Sequence, residues 1–263
     1  MAEWHGDSDR LVIAQDIVDF EDIYDGKQPE EDALHKFKSA SRYFSVPMGR
    51  IAVIGGTGEL GRGLISHWVL AGERVVIGSR SKEKAERVAR ELSASTGRSI
   101  VGATNLEAAR QADLIVLSVP FEGLEQIVEE IRPAIDPSKI VLSVIVPLKF
   151  SKEMVEYSPP PAGSAAEEVA RLIPEAKVVS AFHTVGAKQL QQLGPVPCDV
   201  VICGDDEDAK RRVMELIRHI PGMRPIDGGP LRNSRLVEST VALLIELTRR
   251  YRVPGVSIRF EGI

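Results

Sequence analysis

From Arg50 onward the chain alternates short apolar runs with longer stretches of helical periodicity. Ile51-Ala52-Val53-Ile54 is the first such run, of the kind buried on both faces of a parallel sheet. A glycine-rich turn follows at once. Next come a helical stretch from Glu59 to Ala71, a second strand over Arg74 to Gly78 and a charged helix from Lys82 to Leu92. The order continues with a strand at Asp113 to Val119, a helix near Glu122 to Ile131 and a strand at Lys139 to Val146. This repetition predicts a doubly wound α/β fold on a parallel sheet with right-handed crossovers.

Pro147 to Gly163 contains four prolines, which remove amide donors and resist regular structure, so it is the predicted internal boundary. Beyond it the pattern predicts a helix at Ser164 to Leu172, strands at Lys177 to Phe182 and Asp199 to Cys203, and a helix from Glu207 to Ile220. A short strand reaching Asp227 and a long helix from about Asn233 to Tyr251 complete the chain. The apolar middle of that last helix, Val241 to Ile245, suits either an ordinary core helix or one that crosses a subunit interface. The division expected is an acidic extension over 1–48, a nucleotide-binding domain over 49–160, and a smaller C-terminal α/β domain over 161–263 that completes the cleft and an oligomer interface.

Composition narrows the function classes. The 263 residues are 43% hydrophobic and 27% charged, with no apolar run long enough to span a membrane. The acidic start, Met1 to Asp9, is unlike a secretory signal, so a cytoplasmic location is expected. Cys198 and Cys203 lie on one predicted strand, which rules out a disulfide framework and leaves a metal site short of ligands. Net charge is −5, yet residues 1–48 hold 11 Asp and Glu against 5 Lys and Arg, and the rest is near balance at 27 against 28. No basic run with interleaved aromatics marks a nucleic-acid surface. The extension carries Val12-Ile13, Ile17-Val18, Phe20 and Tyr24, an alternating segment at Leu11 to Phe20 and a weakly helical one at Pro29 to Phe44. It is expected to dock on its own or a neighbouring subunit, as an arm of a dimer interface or as an acidic gate over the cleft.

Gly56-Thr57-Gly58-Glu59-Leu60-Gly61 fits the six-residue glycine fingerprint, directly after a strand and directly before a helix, as a Rossmann-type fold requires. The first glycine serves the tight turn, the second lets backbone approach a pyrophosphate, and the third lets the helix pack on the strand. The helix N-terminus then faces the phosphates. A site for NAD would end the second strand in Asp or Glu; here Ser79-Arg80 stands there. Arg80 has the fork to hold a 2′-phosphate, with the Ser79 hydroxyl beside it and Lys84 expected on the same helical face, which favours NADP over NAD.

With these residues in view, the chain resembles the NADP-dependent reductases of the deazaflavin coenzyme F-420. The likeness spans roughly Arg50 to Gly262. It rests on Ile54-Gly55-Gly56-Thr57-Gly58, Gly78-Ser79-Arg80 with Lys84, Ser118-Val119-Pro120-Phe121, Val179-Ser180-Ala181-Phe182-His183-Thr184, and the run from Gly229 to Ser239. The resemblance implies that Thr57, Ser79, Arg80 and Lys84 hold NADP, and that the His183 to Val185 turn, Arg235 and Ser239 help to seat the deazaflavin. It implies direct hydride transfer between the two rings without metal or covalent intermediate. Residues 1–48 are extra to the family pattern.

The rings are expected to stack at the carboxyl ends of the strands, near Val119, Pro120 and Phe121 and the Val146-Pro147 turn. Arg235 either stabilises anionic character on the reduced deazaflavin, binds its phosphate-bearing tail, or is an ordinary ion-paired arginine. His183 either gives a hydrogen bond or proton to a ring nitrogen, or is a packed neutral histidine. The acids Asp205 to Asp208 read as a helix cap rather than a metal site. Ser158 to Ser164 reads as a flexible lid. Two other functions fit the Rossmann half equally: an NADPH-dependent reductase of a flavin, quinone or small carbonyl compound, and a non-enzymatic NADP-sensing module. A homodimer or higher homo-oligomer is expected.

Overall fold

The computed structural model describes residues 49–263. The expectations for residues 1–48 lie outside the described residues.

Strands β1 (Arg50–Ile54), β2 (Arg74–Ser79), β3 (Val101–Thr104), β4 (Leu114–Leu117), β5 (Ile140–Ser143), β8 (Lys177–Ser180), β9 (Cys198–Gly204) and β10 (Met223–Asp227) form one sheet, in the order β10-β9-β8-β5-β4-β1-β2-β3. The pairings from β3 across to β8 are parallel. Alternate residues of each strand feed opposite faces. Ile51, Val53, Leu114, Val116, Leu142 and Val179 enter one apolar cluster, and Ala52, Ile54, Ile115, Leu117, Val141 and Val178 enter the other. Two buried faces are what turn these strands into uninterrupted apolar runs.

Helices cover both faces. Residues of α1 (Glu59–Leu70), α2 (Lys82–Thr96) and α7 (Glu207–Arg218) join the first cluster; those of α3 (Asn105–Arg110), α4 (Leu124–Ile131) and α5 (Ala165–Leu172) join the second. A four-residue helix α6 (Ala187–Leu190) packs on α1, where Gly63 leaves room for it: a Cβ there would lie 2.6 Å from the Leu190 Cβ. The long helix α8 (Ser234–Tyr251) buries Ser234, Glu238, Val241 and Leu244, while Leu236 and Leu243 stay exposed.

Three features differ from the sequence reading. Residues 101–110 form β3 and α3, a strand too short and half-exposed to announce itself by apolarity. The proline-rich stretch holds a hairpin, β6 (Leu148–Phe150) with β7 (Val155–Tyr157), because its prolines flank the paired residues and leave their amides free. The third concerns direction. The strands of the C-terminal half join the same sheet, but β9 runs antiparallel to β8, with β10 parallel to β9. Only Cys203 and Gly204 of β9 pair with β8, so its first five residues extend past the carboxyl end of that strand. The chain terminus closes on this extension: Asp199 N–H donates to the Ile258 carbonyl at 2.8 Å, and the buried Asp199 carboxylate takes a two-pronged bond from Arg224 at 2.9 and 2.6 Å.

Candidate functional site

The turn between β1 and α1 is built from glycines with separable duties. Gly55 carries the left-handed conformation, φ +78°, and a Cβ on it would lie 2.2 Å from the Ser118 carbonyl oxygen. Gly56 and Gly61 face each other, and a Cβ on Gly61 would stand 2.8 Å from the Gly56 Cα. Among the described residues, Gly58 has only the Gly55 carbonyl near it, at 3.5 Å, so its missing side chain relieves no clash. Gly58 is also the N-cap of α1 and gives it no side-chain cap. Of the other helices, α2, α3, α5 and α7 are capped by a side chain, from Ser81, Thr104, Ser164 and Asp206, and α4, α6 and α8 are not. The uncapped first turn, Glu59, Leu60 and Gly61, keeps amide donors for an anion, and half-exposed Thr57 adds a hydroxyl. These observations fit a dinucleotide pyrophosphate.

At the end of β2, Ser79 is buried and accepts from the Ser81 amide at 3.3 Å. Arg80 and Lys84 are exposed, and neither has an ion-pair partner among the described residues. The expectation that they share a helical face is corrected: α2 starts at Lys82 with Ser81 as its cap, so Arg80 belongs to the turn before the helix and Lys84 to its first turn. Both still stand beside the carboxyl end of β2.

The strand ends farther along bring in the remaining residues. Val119, half-buried, packs against the second cluster, and exposed Pro120 opens a short helical turn over Phe121–Gly123. Beyond β8, Phe182 sits at φ +65°, a conformation rare for a large side chain, and its ring stands edge-on to Trp68 of α1 with centroids 5.9 Å apart. His183 follows it into a buried position where neither ring nitrogen has a hydrogen-bond partner among the described residues. Burial pulls its pKa down to about 4. Val185 is buried in the same turn, its amide donating to the Phe182 carbonyl at 3.3 Å.

Arg235 projects from the first turn of α8 and is ion-paired with Glu167 of α5, its Nε lying 3.2 Å from Oε2 with a closer contact from Nη2 to Oε1. Of the readings left open for Arg235, the ion-paired one describes its present contacts. Ser239 is exposed and donates to the Leu236 carbonyl at 2.8 Å. Sequence reasoning passed over Glu238, whose fully buried carboxylate accepts from the amides of Ala165 at 2.8 Å and Ala166 at 3.1 Å. Its signal is positional: Glu238 falls on the face shared with Ser234 and Val241, the i, i+4, i+7 stripe that a helix buries. Asp206 caps α7 and Asp205 accepts from the Leu231 amide at 3.0 Å. Among the described residues no group of three or more His, Cys, Asp or Glu is placed to hold a metal, and no helix is long and apolar enough to cross a membrane.

A mostly parallel sheet whose first strand runs through a glycine turn into an uncapped helix defines an α/β protein of the dinucleotide-binding type. The profile of the family described as "NADP oxidoreductase coenzyme F420-dependent" matches residues 50–147. The chain is 39% identical to the F420-dependent NADP reductase of Methanocaldococcus jannaschii, covering 81% of this chain and 99% of that one. It is 38% identical to the enzyme of that name from Methanothermobacter thermautotrophicus, over 81% of this chain and 95% of the other. Among solved structures, a candidate F420-dependent NADP reductase from an Arthrobacter species superposes with a TM-score of 0.69, at 24% identity, over 81% of this chain and 99% of that one, a likeness of fold. The chain belongs to the F420-dependent NADP reductase family.

Proposed function

We propose that this protein is a cytoplasmic oxidoreductase that moves a hydride reversibly between NADP(H) and the deazaflavin coenzyme F-420. Besides the family relationship, one observation carries the reading: β2 ends in Ser79-Arg80 rather than a carboxylate, beside an uncapped glycine turn, with two exposed cations free of ion pairs among the described residues. Gly56, Thr57, Gly58, Glu59, Leu60 and Gly61 hold the pyrophosphate, and Ser79, Arg80 and Lys84 hold the 2′-phosphate. Val119 and Pro120 border the nicotinamide.

Bound together, the two cofactors supply the redox chemistry, a hydride exchanged between carbon 4 of the nicotinamide and carbon 5 of the deazaflavin. The chain contributes position, orientation and exclusion of water. His183 stays neutral in its buried site and supplies a hydrogen bond to a ring atom of the deazaflavin, which satisfies a nitrogen otherwise orphaned. Val185 and Ser239 border the same ring system. Arg235, on releasing or sharing Glu167, meets negative charge on the reduced ring or its tail.

Assembly into a homodimer or larger homo-oligomer is supported by the exposed apolar side chains of Leu236 and Leu243 on α8 and of Phe150 and Met154 on the hairpin. The test of function mixes protein, NADPH and oxidised deazaflavin and follows the visible band of the latter, with free flavin and a quinone as parallel acceptors. Bleaching with the deazaflavin is expected; turnover confined to flavin or quinone refutes the assignment.

A further inference from the structure

Glu238 joins three elements through a single buried carboxylate. It projects from α8, its two oxygens take the first two amides of α5, and the Tyr157 hydroxyl at the end of β7 lies 3.5 Å from Oε2. Tyr157 also donates to the Gly163 carbonyl at 3.2 Å. Gly163, at φ +110°, lies so close under the Arg235 guanidinium that a Cβ there would be 2.5 Å from Nη2. One residue before Arg235, the Ser234 hydroxyl lies 2.6 Å from that of Ser180, buried at the carboxyl end of β8. The first turns of α8 thus hold the strand end that leads to His183, the Pro-rich strap over 158–164, and the start of α5.

We propose that Glu238 is a positioning residue for the deazaflavin seat: by gripping the start of α5 and Tyr157 from within α8, it sets where Arg235 and Ser239 stand relative to His183. This rests on the functional reading above. The carboxylate reaches no reacting atom; it acts through the residues it aligns.

The grip depends on charge. An ionised carboxylate accepts from several donors, whereas a protonated one gives up part of that capacity. The titratable groups acting on Glu238 are Tyr157 from the hairpin and Glu167 from α5, and Arg235, on its own helix, acts on Tyr157. Burial, with Glu167 adding to it, pushes the Glu238 carboxyl up to about 7 against the lowering effect of the amide bonds. Proton uptake near neutrality therefore loosens the grip, and the seat weakens on the acid side.

The experiment measures dissociation constants for oxidised deazaflavin and for NADPH by fluorescence titration between about pH 6 and pH 8, in full-length wild type, E238Q and Y157F. Wild-type affinity for the deazaflavin is expected to fall about tenfold from the alkaline to the acid end, the loss of roughly one hydrogen bond to a charged group. E238Q is expected to bind about tenfold more weakly at pH 8 and to lack this pH dependence, with Y157F weaker by about threefold. NADPH affinity is expected to stay within about twofold in each variant, the effect of a site removed from the glycine turn. Should E238Q fail to fold, Y157F decides by itself. A wild-type pH profile in E238Q, or equal weakening of both ligands, overturns the proposal. A wild type that binds no deazaflavin at all overturns the functional reading along with it. Amide exchange at residues 165 and 166, slowed in wild type relative to E238Q, then tells whether the grip exists without the seat.

Discussion

The glycines of the β1–α1 turn predict a separation between stability and cofactor binding. In G61A the new methyl meets the Gly56 Cα at 2.8 Å and the Gly55 oxygen at 3.2 Å, both backbone atoms that have no rotamer to escape into. Overpacking of this kind costs about 1–3 kcal/mol. For a chain of this size that lowers Tm by roughly 2–12 °C. In G58A the nearest atom is 3.5 Å away, and Gly58 has φ −80° and ψ 170°, which alanine adopts freely. Its poorer capping costs up to about 1 kcal/mol, and stiffening of the unfolded chain returns roughly 0.4–1 kcal/mol, so Tm is expected within about 3 °C of wild type. The methyl instead projects into the space assigned to the pyrophosphate. Losing one charge-assisted hydrogen bond of about 1.5–3 kcal/mol weakens NADPH by roughly 10- to 150-fold. Differential scanning fluorimetry and NADPH titration of the two variants check this. Wild-type NADPH affinity in a folded G58A would show that no pyrophosphate lies against this turn.

Three further outcomes are expected. R80A should weaken NADPH by about tenfold or more while leaving NADH within about twofold, as loss of a phosphate clamp requires; equal loss for both would contradict the assignment, and paired titrations decide it. His183, with its pKa held down near 4 by burial, favours the neutral form when folded, so its contribution is complete above the ordinary histidine pKa and is lost as pH falls toward 4. The wild type should therefore lose on the order of 3 kcal/mol more than H183L between neutral pH and pH 4, read as the difference in chemical denaturation. D199N should lower stability by about 1–3 kcal/mol, since the buried side chain loses the charge that holds the two-pronged bond from Arg224 and the bond from the Phe260 amide. Limited proteolysis should then cut the C-terminal segment faster than in wild type.

What the sequence determines unaided is local. Strands buried on both faces must be apolar throughout, so Ile51-Ala52-Val53-Ile54 and its successors declare themselves. A turn as tight as the one after β1 must be glycine at set intervals, and the absence of a carboxylate at the end of β2 is read directly in Ser79-Arg80. Each of these requirements acts within a few residues, where backbone geometry and side-chain alternation are coupled directly.

The tertiary structure alone decided the rest. The reversal of β9 and β10 leaves no mark in their apolar runs, because a strand buried in either direction has the same composition. Whether Arg235 stands free or paired depends on Glu167, 68 residues away in the chain. Glu238 looks like a surface acid until α5 arrives with two unpaired amides, and nothing in the sequence around His183 shows that the turn through Phe182 buries both its ring nitrogens without a partner among the described residues. Pairing and desolvation are properties of neighbours, and the neighbours are chosen by packing.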